Sequence, residues 1–253
     1  MRGLRLRLLQ LTAGVLWIAS WHLAHVMAWG RELYVSSPGA VWSYLVQAAA
    51  NDGELWTHLE ITIRATLVAF VIATVAGVTA GLVLSMLPRL AQVLEPYISA
   101  ANSLPRIALA PIFIIYFGIG IESKIALAVS VVFFVLLVST QAGVRTADPD
   151  IIRMATMLDL NKRQRFVKVL FPLATPSIFA GVRLGIVYSL LGVVTGEIIA
   201  SRAGVGQLII QYSGRFRTDA VYGLLLVLGF VAASLNTLSG VVERRLLRNR
   251  VST

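Results

Sequence analysis

Four charged residues stand inside otherwise apolar stretches of this chain: Arg64, Arg106, Arg183 and Glu197. Charge is expensive in a bilayer, so intramembrane ionisable residues face the protein interior or water and mark polar paths. These four are therefore the candidates for lining a pathway, and the three guanidinium groups would give it a preference for anions. Arg64 and Arg183 could instead snorkel to the nearer interface. Arg183 and Glu197 project within about 40° of each other on one helix. They are about 21 Å apart along it, so they do not pair directly.

Nothing in the chain points to catalysis. The histidines are His22, His25 and His58, with no nucleophile and carboxylate arranged around them. His22 and His25 could share a helix face, which fits packing or an interfacial position better than metal binding. With Cys 0 there is neither a disulfide framework nor a thiolate site. No GxxxxGK[ST] phosphate loop occurs, so any nucleotide hydrolysis must come from another polypeptide. The expectation is a protein that is not an enzyme and carries no metal or cofactor.

These residues must be positioned by long apolar helices. Of the 253 residues, 57% are hydrophobic and 13% charged, about half the charge of an average soluble domain. Mean hydropathy is +0.80. A span needs about 20 mainly apolar residues, and candidates fall near 8–28, 60–85, 95–117, 121–143, 177–200 and 220–241. Pro105, Arg106 and Pro111 interrupt the third, where proline is expected to kink the span rather than end it. The run after Arg2, Arg5 and Arg7 reads as an uncleaved first helix rather than a signal peptide.

Six spans put both termini on one side, and charge says which. With the N-terminus inside, fourteen of the 22 Lys and Arg are cytoplasmic. They are Arg2, Arg5, Arg7, Arg89, Arg145, Arg153, Lys162, Arg163, Arg165, Lys168, Arg244, Arg245, Arg248 and Arg250. Five, namely Arg31, Lys124, Arg202, Arg215 and Arg217, are external. That excess fits the positive-inside rule. The net charge of +10 is thus a topology signal, not a nucleic-acid surface. The fold class is all-α: a polytopic membrane protein of about six spans with cytoplasmic termini, one domain over residues 1–253.

Within the fifth span, Gly181, Gly185, Gly192 and Gly196 fall within about a 60° arc. Such a stripe lets another helix approach closely, and Gly77 with Gly81 repeats the pattern on the second span.

The longest charged interruption is the loop at 144–176, which reads as two short helices. Asp148-Pro149-Asp150 supplies a cap and a first-turn proline, and Ile151, Ile152, Ala155 and Leu158 recur at helical spacing. After the break at Asp159 to Asn161 come Phe166, Val167, Val169 and Leu170, with Pro172 and Pro176 ending the segment. A pair this short cannot bury its apolar face alone. It could lie on anionic lipid or dock on a partner.

Four stretches decide between these: ELWTHLEITIRATLVAF at 54–70, LAPIFIIYFGIGIESKIAL at 109–127, the 142–186 segment from AGVRTADPD to GVRLGI, and GEIIASRAGVGQLI at 196–209. Together they resemble the binding-protein-dependent permeases of bacterial ABC importers, in the branch for sulfonates, taurine and nitrate. The resemblance covers roughly residues 36–248. It implies a bacterial inner-membrane protein that moves a small polar, possibly anionic solute. Its implied partners are a separate cytoplasmic ATPase, an extracytoplasmic solute-binding protein and a second permease copy, most simply a homodimer.

In that family the 144–176 loop is the EAA loop, which docks on the ATPase and transmits nucleotide-driven closure. The coupling residues it implies are Ile152, Arg153, Ala155, Leu158, Asp159 and Gln164. The family's glutamate and glycine are here Arg153 and Asp159, and only the second alanine, Ala155, is kept. A secondary transporter or channel is the alternative of another class, but coupled carriers bury several mid-span acids and Glu197 stands alone near a span end.

Overall fold

The computed structural model describes residues 2–27, 35–51, 53–146, 151, 154, 155, 157, 158 and 160–248. Every regular element among them is helical: α1 (Arg2–Met27), α2 (Pro38–Asn51), α3 (Gly53–Met86), α4 (Pro88–Ser103), a 3-10 turn (Arg106–Leu109), α5 (Ala110–Phe117) and α6 (Ile121–Arg145). The remainder are α7 (Lys162–Arg165), a π turn (Phe166–Leu170), α8 (Phe171–Ile199), α9 (Val205–Gly214) and α10 (Thr218–Arg248). Among the described residues, four stretches are long and apolar enough to cross a membrane: Gly53–Met86, Ile121–Arg145, Phe166–Ile199 and Thr218–Arg245.

The third expected span is a broken one. Pro88–Ser103 and Arg106–Phe117 are apolar enough together, but they meet at 87°. Leu104 precedes Pro105, and proline drives the preceding residue out of the helical region, here to φ −67 and ψ 134. The chain therefore turns a corner where a kink was expected. Gly118, at φ +75, ends α5 in a backbone region that glycine enters at no steric cost.

Pro172 and Pro176 do not end the loop segment as expected; both lie in α8. The reason is the π turn before it, in which Phe171 N–H reaches back to the Phe166 carbonyl. This wider turn and the first-turn position of Pro172 remove the clash for that ring, whereas Pro176 lies inside the helix.

Two compact units can be described. In the one formed by 61–202 and 231–253, α6 packs along α8 over much of its length. Small residues allow it. A Cβ added at Gly181, Gly185, Gly192 or Gly196 would meet Ser139, Val132, Ala128 or Lys124 of α6 at 2.6, 3.2, 2.8 and 3.1 Å. The other side of α6 takes α3, whose buried face is equally small: Thr62, Thr66, Ala69, Ala73, Gly77 and Gly81. With lipid outside as apolar as the interior, close van der Waals packing of this kind holds membrane helices together. Gly192→Leu should thus destabilise by about 1–3 kcal/mol through overpacking, read as a lower thermal midpoint in detergent. Gly229→Leu, where a Cβ meets nothing within 4 Å, should leave it unchanged.

The other unit holds 1–60 and 203–230. Tyr44 of α2 packs edge-on against Tyr212 of α9, with ring centroids 5.8 Å apart. The Arg217 guanidinium, bound to Asp219 at 2.6 Å, lies within 5.8 Å of both rings. Burial, reinforced by Tyr212, pushes the Tyr44 hydroxyl above its ordinary pKa.

Candidate functional site

The four candidate pathway residues occupy four different settings. Arg64 is exposed on α3. Arg106 sits at the corner of the broken span, and its guanidinium is engaged. Nη1 donates to Ser130 O at 2.5 Å, Nη2 to Ala101 O at 2.7 Å and Nε to Leu104 O at 3.3 Å, with Cζ 4.1 Å over the Phe134 ring. A corner inside a bilayer frees backbone carbonyls that water cannot reach. Arg106 satisfies them.

Glu197 is 1% exposed near the end of α8. Thr62 Oγ1 of α3 donates to its carboxylate at 2.9 and 3.1 Å. Beside it lies Lys124 of α6, 4% exposed, which the charge count placed among the external residues. Glu197 and Glu122 are the carboxylates whose charge reaches its ammonium, and Lys124 Nζ also donates to Gly120 O at 2.8 Å. Lys124 begins a helix whose first turn folds its stem against Gly196. No periodicity argument within one helix would have moved it inside.

Arg183 is elsewhere. It projects from mid-α8 into a groove of about 690 Å³ whose lining includes Leu184, Tyr188, Ala233, Asn236 and Glu243. Its Nε donates to Asn236 Oδ1 of α10 at 2.9 Å. Arg183 and Glu197 therefore share no site, although their helical angles are close.

His58 and Gly204, from the first and last of the motif stretches, also meet. Gly204 N–H donates to His58 Nδ1 at 2.9 Å. Gly204 has φ +112, a conformation that strains any residue with a side chain, so this contact needs both identities.

In the loop, Ile152, Arg153 and Asp159 lie outside the described residues, as does the Asp148-Pro149-Asp150 cap. Ala155 is 2% exposed, whereas Met154, Met157 and Leu158 are open, the last two at 84% and 71%. Gln164 forms a capping box at the start of α7. Asn161 Oδ1 accepts from Gln164 N at 2.8 Å, and Gln164 Oε1 accepts from Asn161 N at 3.1 Å.

A family profile described as "Binding-protein-dependent transport system inner membrane component" matches residues 73–251. This chain belongs to that family. The permease is 32% identical to the riboflavin transport system permease protein RibX of Chloroflexus aurantiacus, over 92% of this chain and 87% of that one. It is 30% identical to the putative aliphatic sulfonates transport permease protein SsuC of Bacillus subtilis, over 79% and 73%. The taurine transport system permease protein TauC of Escherichia coli is also 30% identical, over 85% and 79%. A chain of the MetNI methionine ABC transporter in an inward-facing form has the same fold at 17% identity, with a TM-score of 0.67 over 76% of the permease and 95% of that chain. The permease is thus a multi-pass protein of the bacterial inner membrane and a transport subunit, not an enzyme. Membership brings two partners, an ATP-binding subunit and a solute-binding protein.

Proposed function

We propose that residues 1–253 form one permease domain, with both termini cytoplasmic, which pairs with a second copy and imports a small oxyanionic or zwitterionic solute of the sulfonate, taurine or nitrate kind. We infer that the 144–176 loop is its contact with the ATPase. The observation that carries this is the open apolar patch of Met154, Met157 and Leu158 beside the buried Ala155. Ala155 anchors the turn, and the thioether and isobutyl side chains present a deformable surface of the kind that fills a partner's groove. The capping box at Asn161 and Gln164 fixes where the next helix starts, so movement of the patch is passed through α7 and the π turn into α8. Relatives named for sulfonates, taurine and nitrate support the solute class. A larger aromatic solute is the second reading, favoured by the relative named for riboflavin.

Co-purification tests the coupling. Burying two such side chains contributes roughly 1.5–3 kcal/mol each, so the double variant Met157→Glu, Leu158→Glu should weaken ATPase capture by about 10²-fold or more. Its thermal midpoint should stay that of the unaltered protein, because both side chains are already exposed. Capture of the ATPase at undiminished stoichiometry would refute the docking role.

A further inference from the structure

An exposed arginine within an apolar span requires something to cover it. Counted from the end of the loop at 176, Arg183 lies about 10 Å into its span at 1.5 Å per residue. Its partner Asn236 sits about 14 Å from Arg245 and about 27 Å from Thr218, the ends of the other stretch. The single bond from Nε to Asn236 Oδ1 fixes the plane of the guanidinium. Gly240, one turn along α10 from Asn236, leaves room for it: a Cβ there would lie 3.7 Å from Arg183 Cζ. Among the described residues no carboxylate forms an ion pair with Arg183, and no protein acceptor takes Nη1 or Nη2. The groove before it, about 690 Å³ with mainly apolar walls, is of the size that holds small molecules.

We propose that this groove between α8 and α10 is a binding site for a small oxyanion, with the Nη1–Nη2 edge of Arg183 as its ligand and Asn236 as the residue that positions it. Two parallel N–H donors match two oxygens of a sulfonate, carboxylate or nitrate, and such bidentate pairs are the strong charge-assisted ones. The other titratable groups lining the groove are Tyr188 and Glu243. Glu243 lies two turns along α10 from Asn236, so the anion is held at the Arg183 level and repelled from the Glu243 end. Arg106 does not compete, its three nitrogens being spent on carbonyls. A lipid phosphate offers the same oxygens, and the phosphatidylglycerol arm of the test separates the two sources. This inference rests on the reading of the chain as a solute path, but its test involves no ATPase and can fail alone.

The thermal midpoint of the full-length permease in maltoside detergent is measured against methanesulfonate and nitrate, with sodium chloride at equal ionic strength as reference. The midpoint should rise with either anion in the unaltered protein and in Arg89→Gln, an exposed arginine of α4. The rise should vanish in Arg183→Gln and shrink in Arg183→Lys, whose ammonium carries the charge without the fork. Asn236→Leu should require several-fold more anion for the same rise. An equal rise in Arg183→Gln would overturn the proposal. So would a rise seen only with added phosphatidylglycerol, which would make the ligand a headgroup. Loss of the dimer in Arg183→Gln, without any anion effect in the unaltered protein, would assign the groove to the second copy and overturn it as well.

Discussion

Glu197→Leu is expected to cost about 3–5 kcal/mol, the range for removing one member of a buried charged set, and to leave little monodisperse protein after extraction. The substitution strips the acceptor from Thr62 Oγ1. It also leaves the Lys124 ammonium, at 4% exposure, with backbone carbonyls and Glu122 as its remaining described company. The charge cannot snorkel, because its stem is folded against Gly196. Removing both charges should be milder than removing one, since an apolar replacement of a buried ionic set is often neutral. Glu197→Leu combined with Lys124→Met should thus recover much of the lost midpoint. A thermal midpoint for Glu197→Leu equal to that of the unaltered protein would show that the cluster does not hold α3, α6 and α8 together.

Arg106→Leu is expected to come next, again at about 3–5 kcal/mol. A hydrogen bond from a charged donor contributes about 1.5–3 kcal/mol, and two of the three here are short. Ala101 O belongs to α4 and Ser130 O to α6, so the guanidinium spans two helices as well as the corner. Arg106→Lys should restore little, because one ammonium cannot cover carbonyls on both helices while stacking on Phe134. The chain has Cys 0, so spin labels at Ser99→Cys and Tyr116→Cys report the corner without background. Their distance distribution should broaden in Arg106→Leu. An unchanged distribution would mean that Pro105 alone sets the bend.

The two arginines show where reading along a chain stops. By residue type Arg106 and Arg183 are alike: each is one cation in an apolar run. The structure separates them by their partners, carbonyls of a proline corner for one and an asparagine beside an open groove for the other. The corner itself was half legible, since Pro105 and Pro111 marked an interruption. Its angle of 87° depends on Leu104 being driven extended and on α6 offering Ser130 O, which lies 24 residues along.

By itself the sequence determined that this is a helical membrane protein, where its main apolar stretches run, which face of α8 is narrow, and to which family the motifs belong. The family rests on the resemblance of the motif stretches; the other properties are set by composition and by periodicity within a single helix, where burial in lipid and the 3.6-residue turn act locally. The tertiary structure decided which charges meet. Arg183 finds Asn236 across 53 residues, Thr62 finds Glu197 across 135 and His58 finds Gly204 across 146. A helical period gives the direction in which a side chain leaves its own axis, but not which other helix stands there or at what height. That is why Lys124 read as an external charge and proved to be buried. It is also why Glu197 and Arg183, close in angle on one helix, belong to a packed cluster and to an open groove respectively.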